Sequence, residues 1–197
     1  MRIVAGRHKG RALLAPPGDE VRPTSDRARE ALFNILAHAR FAGVEASPVA
    51  EARVLDAFAG TGALALEALS RGAAHAILMD RSSTALAVAR VNIGRLGEEL
   101  RTTVLTADAT APPPPPSDPR RAPATLVFLD PPYRSGLAAP ALTALADRGW
   151  IAEGALVVVE TELRAPFDLP SGFALVDQRR YGKAAIRFLI KGETASV

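Results

Sequence analysis

The run Leu129-Asp130-Pro131-Pro132-Tyr133, directly after the apolar stretch Leu126-Val127-Phe128, carries the most specific chemistry in this 197-residue chain. Two consecutive prolines stiffen the backbone, so the Asp130 carboxylate and the Pro131 carbonyl become fixed acceptors facing the same way. Such a pair suits an aromatic exocyclic amine. The lone pair of that amine is delocalised into its ring, and two acceptors gripping its hydrogens favour the pyramidal geometry that frees it for in-line attack on a methyl group. Tyr133 adds a flat face on which an extruded base can stack. The bland alternative is a proline-stiffened turn after a strand, and the motifs upstream weigh against it.

The first of these is Val54-Leu55-Asp56-Ala57-Phe58-Ala59-Gly60-Thr61-Gly62-Ala63-Leu64-Ala65, an apolar run leading through a glycine turn into a helix. Gly60 and Gly62 let the backbone turn tightly and approach a ligand, and the following helix offers unsatisfied N–H groups to an anionic group. Taken alone the spacing also fits the dinucleotide fingerprint. Asp56 separates the readings: before the turn it suits a ligand carrying an amino group, such as S-adenosylmethionine, and would repel a pyrophosphate. Asp80 closes the next apolar run and is placed to accept from ribose hydroxyls, with a helix cap before Ser82 as the alternative. Asp108, in Thr106-Ala107-Asp108-Ala109, is placed for an adenine amine or for a turn. Phe58, Arg81 and Ala109, beside these acids, complete the candidate cofactor set.

Positioning these residues requires alternating strands and helices. Periodicity predicts strands at Arg53 to Ala57, Ala76 to Met79, Thr103 to Thr106, Leu126 to Leu129 and Ala155 to Val159. Helices are predicted near Ala63 to Ser70, Ser83 to Leu96 and Leu137 to Arg148, which argues a parallel sheet covered on both faces. Phe173 to Asp177 and Ala184 to Ile190, joined through Tyr181-Gly182-Lys183, read as an antiparallel edge hairpin. Ahead of the sheet, Arg2 to Leu14 reads as a small β-ribbon. Thr24-Ser25-Asp26 then opens a helix to about Arg40, with Ala28, Ala31, Leu32, Ile35 and Leu36 on its apolar face. Five prolines at 112 to 116 predict an exposed polyproline II loop, 111 to 123, between the third and fourth strands.

The charge is segregated. Nine of the 24 Lys and Arg fall in residues 1 to 11 and 179 to 191, stretches without Asp or Glu, leaving 15 basic against 21 acidic residues elsewhere. Clustered cations of this kind are the footprint of a phosphate backbone, with a merely solvated face as the alternative. With no cysteine, disulfides and thiolate metal sites are excluded, and the three scattered histidines predict no metal. No apolar run is long enough to span a membrane and no signal-peptide pattern opens the chain, so a cytoplasmic protein is expected.

The motif blocks resemble the ribosomal RNA small subunit methyltransferase D family in chain order. They are Arg2-Ile-Val-Ala-Gly with Lys9-Gly-Arg; Arg22-Pro-Thr-Ser-Asp-Arg-Ala-Arg-Glu-Ala-Leu-Phe-Asn-Ile-Leu; the glycine motif; Leu66-Glu-Ala-Leu-Ser-Arg-Gly-Ala; Leu129-Asp-Pro-Pro-Tyr; and Tyr181-Gly-Lys. The resemblance implies an α/β class I S-adenosylmethionine-dependent methyltransferase fold: a Rossmann-like seven-stranded sheet, last strand antiparallel, with a small N-terminal β-hairpin extension. The expected organisation is an RNA-binding extension over 1 to 20 and a methyltransferase domain over 21 to 197. The implied reaction is transfer from S-adenosyl-L-methionine to guanine N2 of 16S ribosomal RNA; a small-subunit particle is the expected setting of that RNA, and a monomer is the default expectation for the chain. Asp130, Pro131, Pro132 and Tyr133 would act on the amine, and Arg2, Arg7, Lys9, Arg11, Arg22 and Arg27 would meet RNA. Three rivals remain open. An adenine-N6 methyltransferase shares the amine motif, a nicotinamide oxidoreductase explains only the glycines, and a noncatalytic RNA-binding module explains only the basic ends.

Overall fold

A computed structural model describes residues 1–15, 26–38, 47–133 and 135–192. Its strands are β1 (Arg53–Asp56), β2 (His75–Asp80), β3 (Thr102–Thr106), β4 (Ala124–Leu129), β5 (Ile151–Glu162), β6 (Phe173–Tyr181) and β7 (Ala184–Lys191). Its helices are α1 (Asp26–His38), α2 (Ala63–Ser70), α3 (Ser83–Leu96) and α4 (Ala138–Asp147). The strands form one seven-stranded sheet in the order β3-β2-β1-β4-β5-β7-β6. β1 to β5 run parallel, and β7 inserts antiparallel between β5 and β6. Connection length explains the change of direction. Long crossovers, helical except for the proline loop from β3 to β4, return the chain parallel, whereas Gly182 and Lys183 make a two-residue turn that allows only an antiparallel neighbour. Gly182 stands at its first central position with φ 57°, as a type II′ turn requires.

Both faces are covered. Leu32, Phe33, Leu66, Leu69, Phe128 and Phe188 pack one core under α1, α2 and α3. Leu142, Leu145, Trp150, Val127 and Val157 pack the other under α4. The central strands are buried on both sides, which is why they read as continuous apolar runs rather than alternating ones. This is the class I methyltransferase sheet expected from the sequence.

Several details differ from expectation, each for a physical reason. β5 is seven residues longer than the five anticipated: four at its start, where exposed Glu153 and Gly154 interrupt the apolar pattern at a register shift against β4, and three at its end, where Glu160, Thr161 and Glu162 pair with β7. The buried stripe of α1 is Arg29, Leu32, Phe33 and Leu36 rather than one through Ala28 and Ala31, because Arg29 is drawn inward by acidic partners. The proline loop is only partly exposed: Pro112 is buried, and the Pro113 carbonyl accepts a 2.7 Å hydrogen bond from Trp150 Nε1. The N-terminal segment makes a single antiparallel bridge, Arg2 to Ala12, and sends Ile3 and Leu13 into the main core. The expected caps Thr24 and Ser25, and the helix end near Arg40, lie outside the described residues. No helix among the described residues is long and apolar enough to cross a membrane.

Candidate active site

The connections from β1 to β2 and from β3 to β4 place chain on opposite sides of β1, which opens a crevice at the carboxyl edge of the sheet. Four sequence-predicted acids meet along that edge. Asp56 ends β1, Asp80 ends β2, Asp108 follows β3 by two residues and Asp130 follows β4 directly. Backbone bonds fix their order, with Ala57 N donating to the Phe128 carbonyl, Ala59 N to that of Met79 and Ala107 N to that of Asp80.

The glycine turn is built around two of these acids. Gly62, at φ 81°, takes a left-handed conformation, and a Cβ there would stand 2.7 Å from a Leu78 methyl, so only glycine fits. Asp80 Oδ2 accepts from Gly60 N at 2.8 Å while Oδ1 accepts from Ser82 N at 2.8 Å, clamping the turn to the start of α3. Ser82 itself caps α3 by accepting from Ala85 N. The cap and ligand readings of Asp80 are therefore compatible, since each carboxylate oxygen keeps further lone-pair capacity. Asp56 is closed off beneath the turn at 1% exposure; Oδ2 accepts from Ala65 N at 3.2 Å, and Oδ1 has no partner among the described residues. Burial, reinforced by the nearby Asp80 charge, pushes its carboxyl up to about 7. A buried acid with an orphaned oxygen beneath a helix N-terminus is chemistry that a bound ammonium would satisfy, so the residues fit S-adenosylmethionine. Asp108 Oδ1 accepts from Thr110 N and Thr110 Oγ1, and these bonds, with the Arg81 charge, hold its carboxyl below the usual range. Ala109 is buried behind it, and Phe58 is half-buried beside the turn.

Beyond β4, Pro131 is buried while Tyr133 stays 40% exposed. Tyr133 Oη donates to Glu160 Oε1 at 3.2 Å. Asp130 and Glu160 are the polar residues of a cleft otherwise walled by Leu32, Leu64, Phe128, Leu129, Val158 and Ile186. Glu160 escaped the sequence reading because it carries no motif. Its signal was an acid ending an apolar strand, as with Asp56 and Asp80.

Residues 1–190 match the family described as "Conserved hypothetical protein 95". The chain is 36% identical over 195 residues to ribosomal RNA small subunit methyltransferase D of Escherichia coli, covering 95% of this chain and 88% of that one. It belongs to the ribosomal RNA small subunit methyltransferase D family. The solved Escherichia coli chain YhhF superposes with a TM-score of 0.78 at 34% identity, covering 98% of both chains. An RNA methyltransferase of Salinibacter ruber in complex with S-adenosyl-L-homocysteine shares the fold at 14% identity, with a TM-score of 0.61 over 87% of this chain and 94% of its own.

Three of the six blocks that carry the family resemblance, those beginning at Arg2, Arg22 and Leu66, converge on one buried acid. Glu67 of α2 accepts from Val4 N at 2.8 Å, Ala5 N at 3.0 Å and Arg71 Nε at 2.8 Å, and lies 3.6 Å from Arg29 Nε. Arg29 also binds Asp26 and the Arg2 carbonyl. Gly6 rests on the Ser70 carbonyl, and Arg7 N donates to it. The N-terminal Arg2-Ile-Val-Ala-Gly pattern thus has a structural duty in this chain.

That duty fixes where the basic residues lie. α2 and α3 start at the carboxyl edge, so their ends, Ser70 and Leu96, reach the opposite edge of the sheet. The tip around Arg7, His8 and Lys9 is there: Arg7 and His8 both pair with buried Glu98, which Arg101 also holds at 2.7 Å. Arg11 donates to the Arg95 carbonyl, Arg2 stands 3.7 Å from Asp26, and Arg27 is exposed on α1. Arg22 lies outside the described residues. The β6–β7 turn is at the catalytic edge instead, with exposed Arg180 and Lys183, and the Lys183 carbonyl accepts from Leu163 N beside exposed Arg164. Arg187 is half-buried over the Phe167 ring, and Lys191 pairs with Glu153.

Proposed function

We propose that the chain methylates the exocyclic N2 amine of a guanine in bacterial 16S ribosomal RNA, with S-adenosyl-L-methionine as methyl donor and a small-subunit particle as substrate. The observation that carries the reading is the placement of Asp130-Pro131-Pro132-Tyr133 at the carboxyl edge, one strand from the glycine turn and its acids. The name of the 36% identical Escherichia coli relative supports the RNA class.

When bound, S-adenosylmethionine supplies an electrophilic sulfonium methyl. Asp56 beneath the glycine turn supplies the field that holds the cofactor's ammonium, Asp80 accepts from the ribose hydroxyls, and Asp108 with Ala109 borders the adenine. Phe58 and Arg81 flank the same pocket. Asp130 and the Pro131 carbonyl accept the two amine hydrogens, so the nitrogen lone pair turns out of the ring plane toward the methyl group. Tyr133 stacks on the extruded base, and Pro132 keeps that ring and the two acceptors in register. Exposed Arg2, Lys9, Arg11 and Arg27, with Arg22, contact phosphate remote from the reaction, while Arg7 reaches it only from its ion pair with Glu98. The chain acts as a monomer in the cytoplasm.

Labelled-methyl transfer to small subunits from cells lacking the gene tests this directly. N2-methylguanosine in the digested 16S RNA is the expected product; N6-methyladenosine or an unlabelled RNA would refute the assignment. Asp130→Ala should cut turnover by ~10²-fold or more and leave cofactor affinity intact, since its acceptor acts mainly in the transition state.

A further inference from the structure

We infer that Glu160 reads the Watson–Crick edge of the target base by accepting guanine N1–H, and that this contact selects guanine over adenine. The inference rests on the guanine-N2 reading above.

β4 and β5 are parallel with Leu129 opposite Val159, so Asp130 and Glu160 follow side by side, on strands about 4.8 Å apart. Alternation puts both on the face shared by Phe128 and Val158, and both line the same apolar cleft. Two carboxylates therefore stand next to each other, both half-buried, on the lining of one small and mostly apolar cleft. The ring that stacks on the base is tied to the second of them through the Tyr133 Oη hydrogen bond to Glu160.

The base that complements this pair must offer two adjacent donors. Guanine does: its N2 amine faces Asp130 and the Pro131 carbonyl, and its N1–H, the next atom along the edge, faces Glu160. Adenine offers its N6 amine beside the N1 lone pair. A carboxylate cannot donate to that lone pair, so adenine would set its N1 lone pair against a Glu160 oxygen with no proton between them. The motif at Asp130 grips an amine of either base, and the discrimination falls to Glu160.

The test replaces the target guanosine of the accepted RNA with 2,6-diaminopurine riboside, which keeps the 2-amine and presents a lone pair at N1. Wild type should prefer guanine by at least about 100-fold in kcat/KM, a floor set below the roughly 10⁴- to 10⁵-fold with which a site built to hydrogen-bond a group rejects an analogue lacking it. Glu160→Gln keeps an oxygen for Tyr133 and adds an N–H donor. It should lower guanine methylation at least ~10-fold and narrow the guanine-to-diaminopurine ratio at least ~10-fold, with cofactor affinity by calorimetry unchanged. Equal loss on both substrates would show that Glu160 only holds Tyr133 and would overturn the inference. An unaltered ratio would overturn it as well. If wild type forms no N2-methylguanosine, the parent reading fails in its own arm, separately from the ratio.

Discussion

Replacing Asp56 with Asn should stabilise the ligand-free protein at neutral pH and have a progressively smaller stabilising effect as the solution is acidified. Burial raises this carboxyl from its ordinary 3.8 to about 7, so between those values the unfolded chain carries a charge that the folded protein refuses. The unfolded state then binds fewer protons than the native one, and stability falls as pH rises. At about 1.4 kcal/mol per pKa unit, the wild-type penalty is near zero below pH 4, roughly 2 kcal/mol at pH 5.5 and about 4 kcal/mol at pH 7, then flat above pH 8. That is a large share of a typical domain stability of about 5 to 15 kcal/mol. Asn carries static differences, including an amide hydrogen pair where Oδ1 lacks a partner, but those do not vary with pH. Urea titrations of both proteins from pH 4 to 8 therefore isolate the effect as the slope of their stability difference. Saturating S-adenosylmethionine should shrink that slope, because an ammonium above the turn favours the ionised carboxylate. A difference that stays constant across the range would mean that Asp56 is ionised and solvated in the folded state, and the reasoning from its orphaned oxygen would fail.

Three further outcomes are expected. Asp80→Ala should weaken S-adenosylmethionine by roughly 1.5 to 3 kcal/mol by calorimetry, the range for hydrogen bonds to a charged group, and unchanged affinity would leave Asp80 a clamp on Gly60 and Ser82 alone. Gly6→Ala should cost about 2 to 5 kcal/mol in denaturant titrations, because its Cβ would stand 1.9 Å from the Ser70 carbonyl at φ 79°; Gly10→Ala, at φ 84° in open space, should cost only about 1 to 2, and equal losses would contradict the contact. Removing Arg164, Arg180 and Lys183 together should lower the slope of log K for RNA against log salt by about 2 to 3 and depress kcat/KM, whereas removing Arg2, Lys9 and Arg11 should lower the slope with kcat untouched. An unchanged slope in either triple variant would reduce that set to a solvated surface.

The sheet and its catalytic edge were legible because the signals are local. Gly62, Gly97 and the Ser82 cap punctuate α2 and α3, whose ends match the anticipated Ala63 to Ser70 and Ser83 to Leu96. Apolar runs ending in Asp56 and Asp80 mark strands buried on both faces and then released at a ligand edge. What escaped is nonlocal. Glu67 sits in Leu66-Glu67-Ala68-Leu69, where an isolated acid on a helix reads as solvated; only contact with Val4, Ala5, Arg29 and Arg71 makes its burial tolerable. The same holds for Glu98, whose partners Arg7 and His8 lie some ninety positions earlier in the chain. Composition counted Arg7 among free cations, and tertiary structure spends its charge on an internal acid.

This changes the meaning of the charge segregation. The acidic middle of the chain includes a row at one edge: Asp108, Asp80, Asp56, Asp130 and Glu160 follow the strand order β3, β2, β1, β4, β5. Acceptors are what a cofactor ammonium, ribose hydroxyls and a base amine require, yet the same row repels the phosphates that must deliver the base. Cations remote from that edge cannot offset the repulsion within the roughly 8 to 10 Å over which surface charges act at ordinary salt. The turn between β6 and β7 can, because it rises beside β5 and presents Arg180 and Lys183 next to Arg164. A short edge hairpin is thus a means of carrying positive charge to the rim of an acidic site without placing it among the acids, where it would form internal ion pairs as Arg7 does with Glu98.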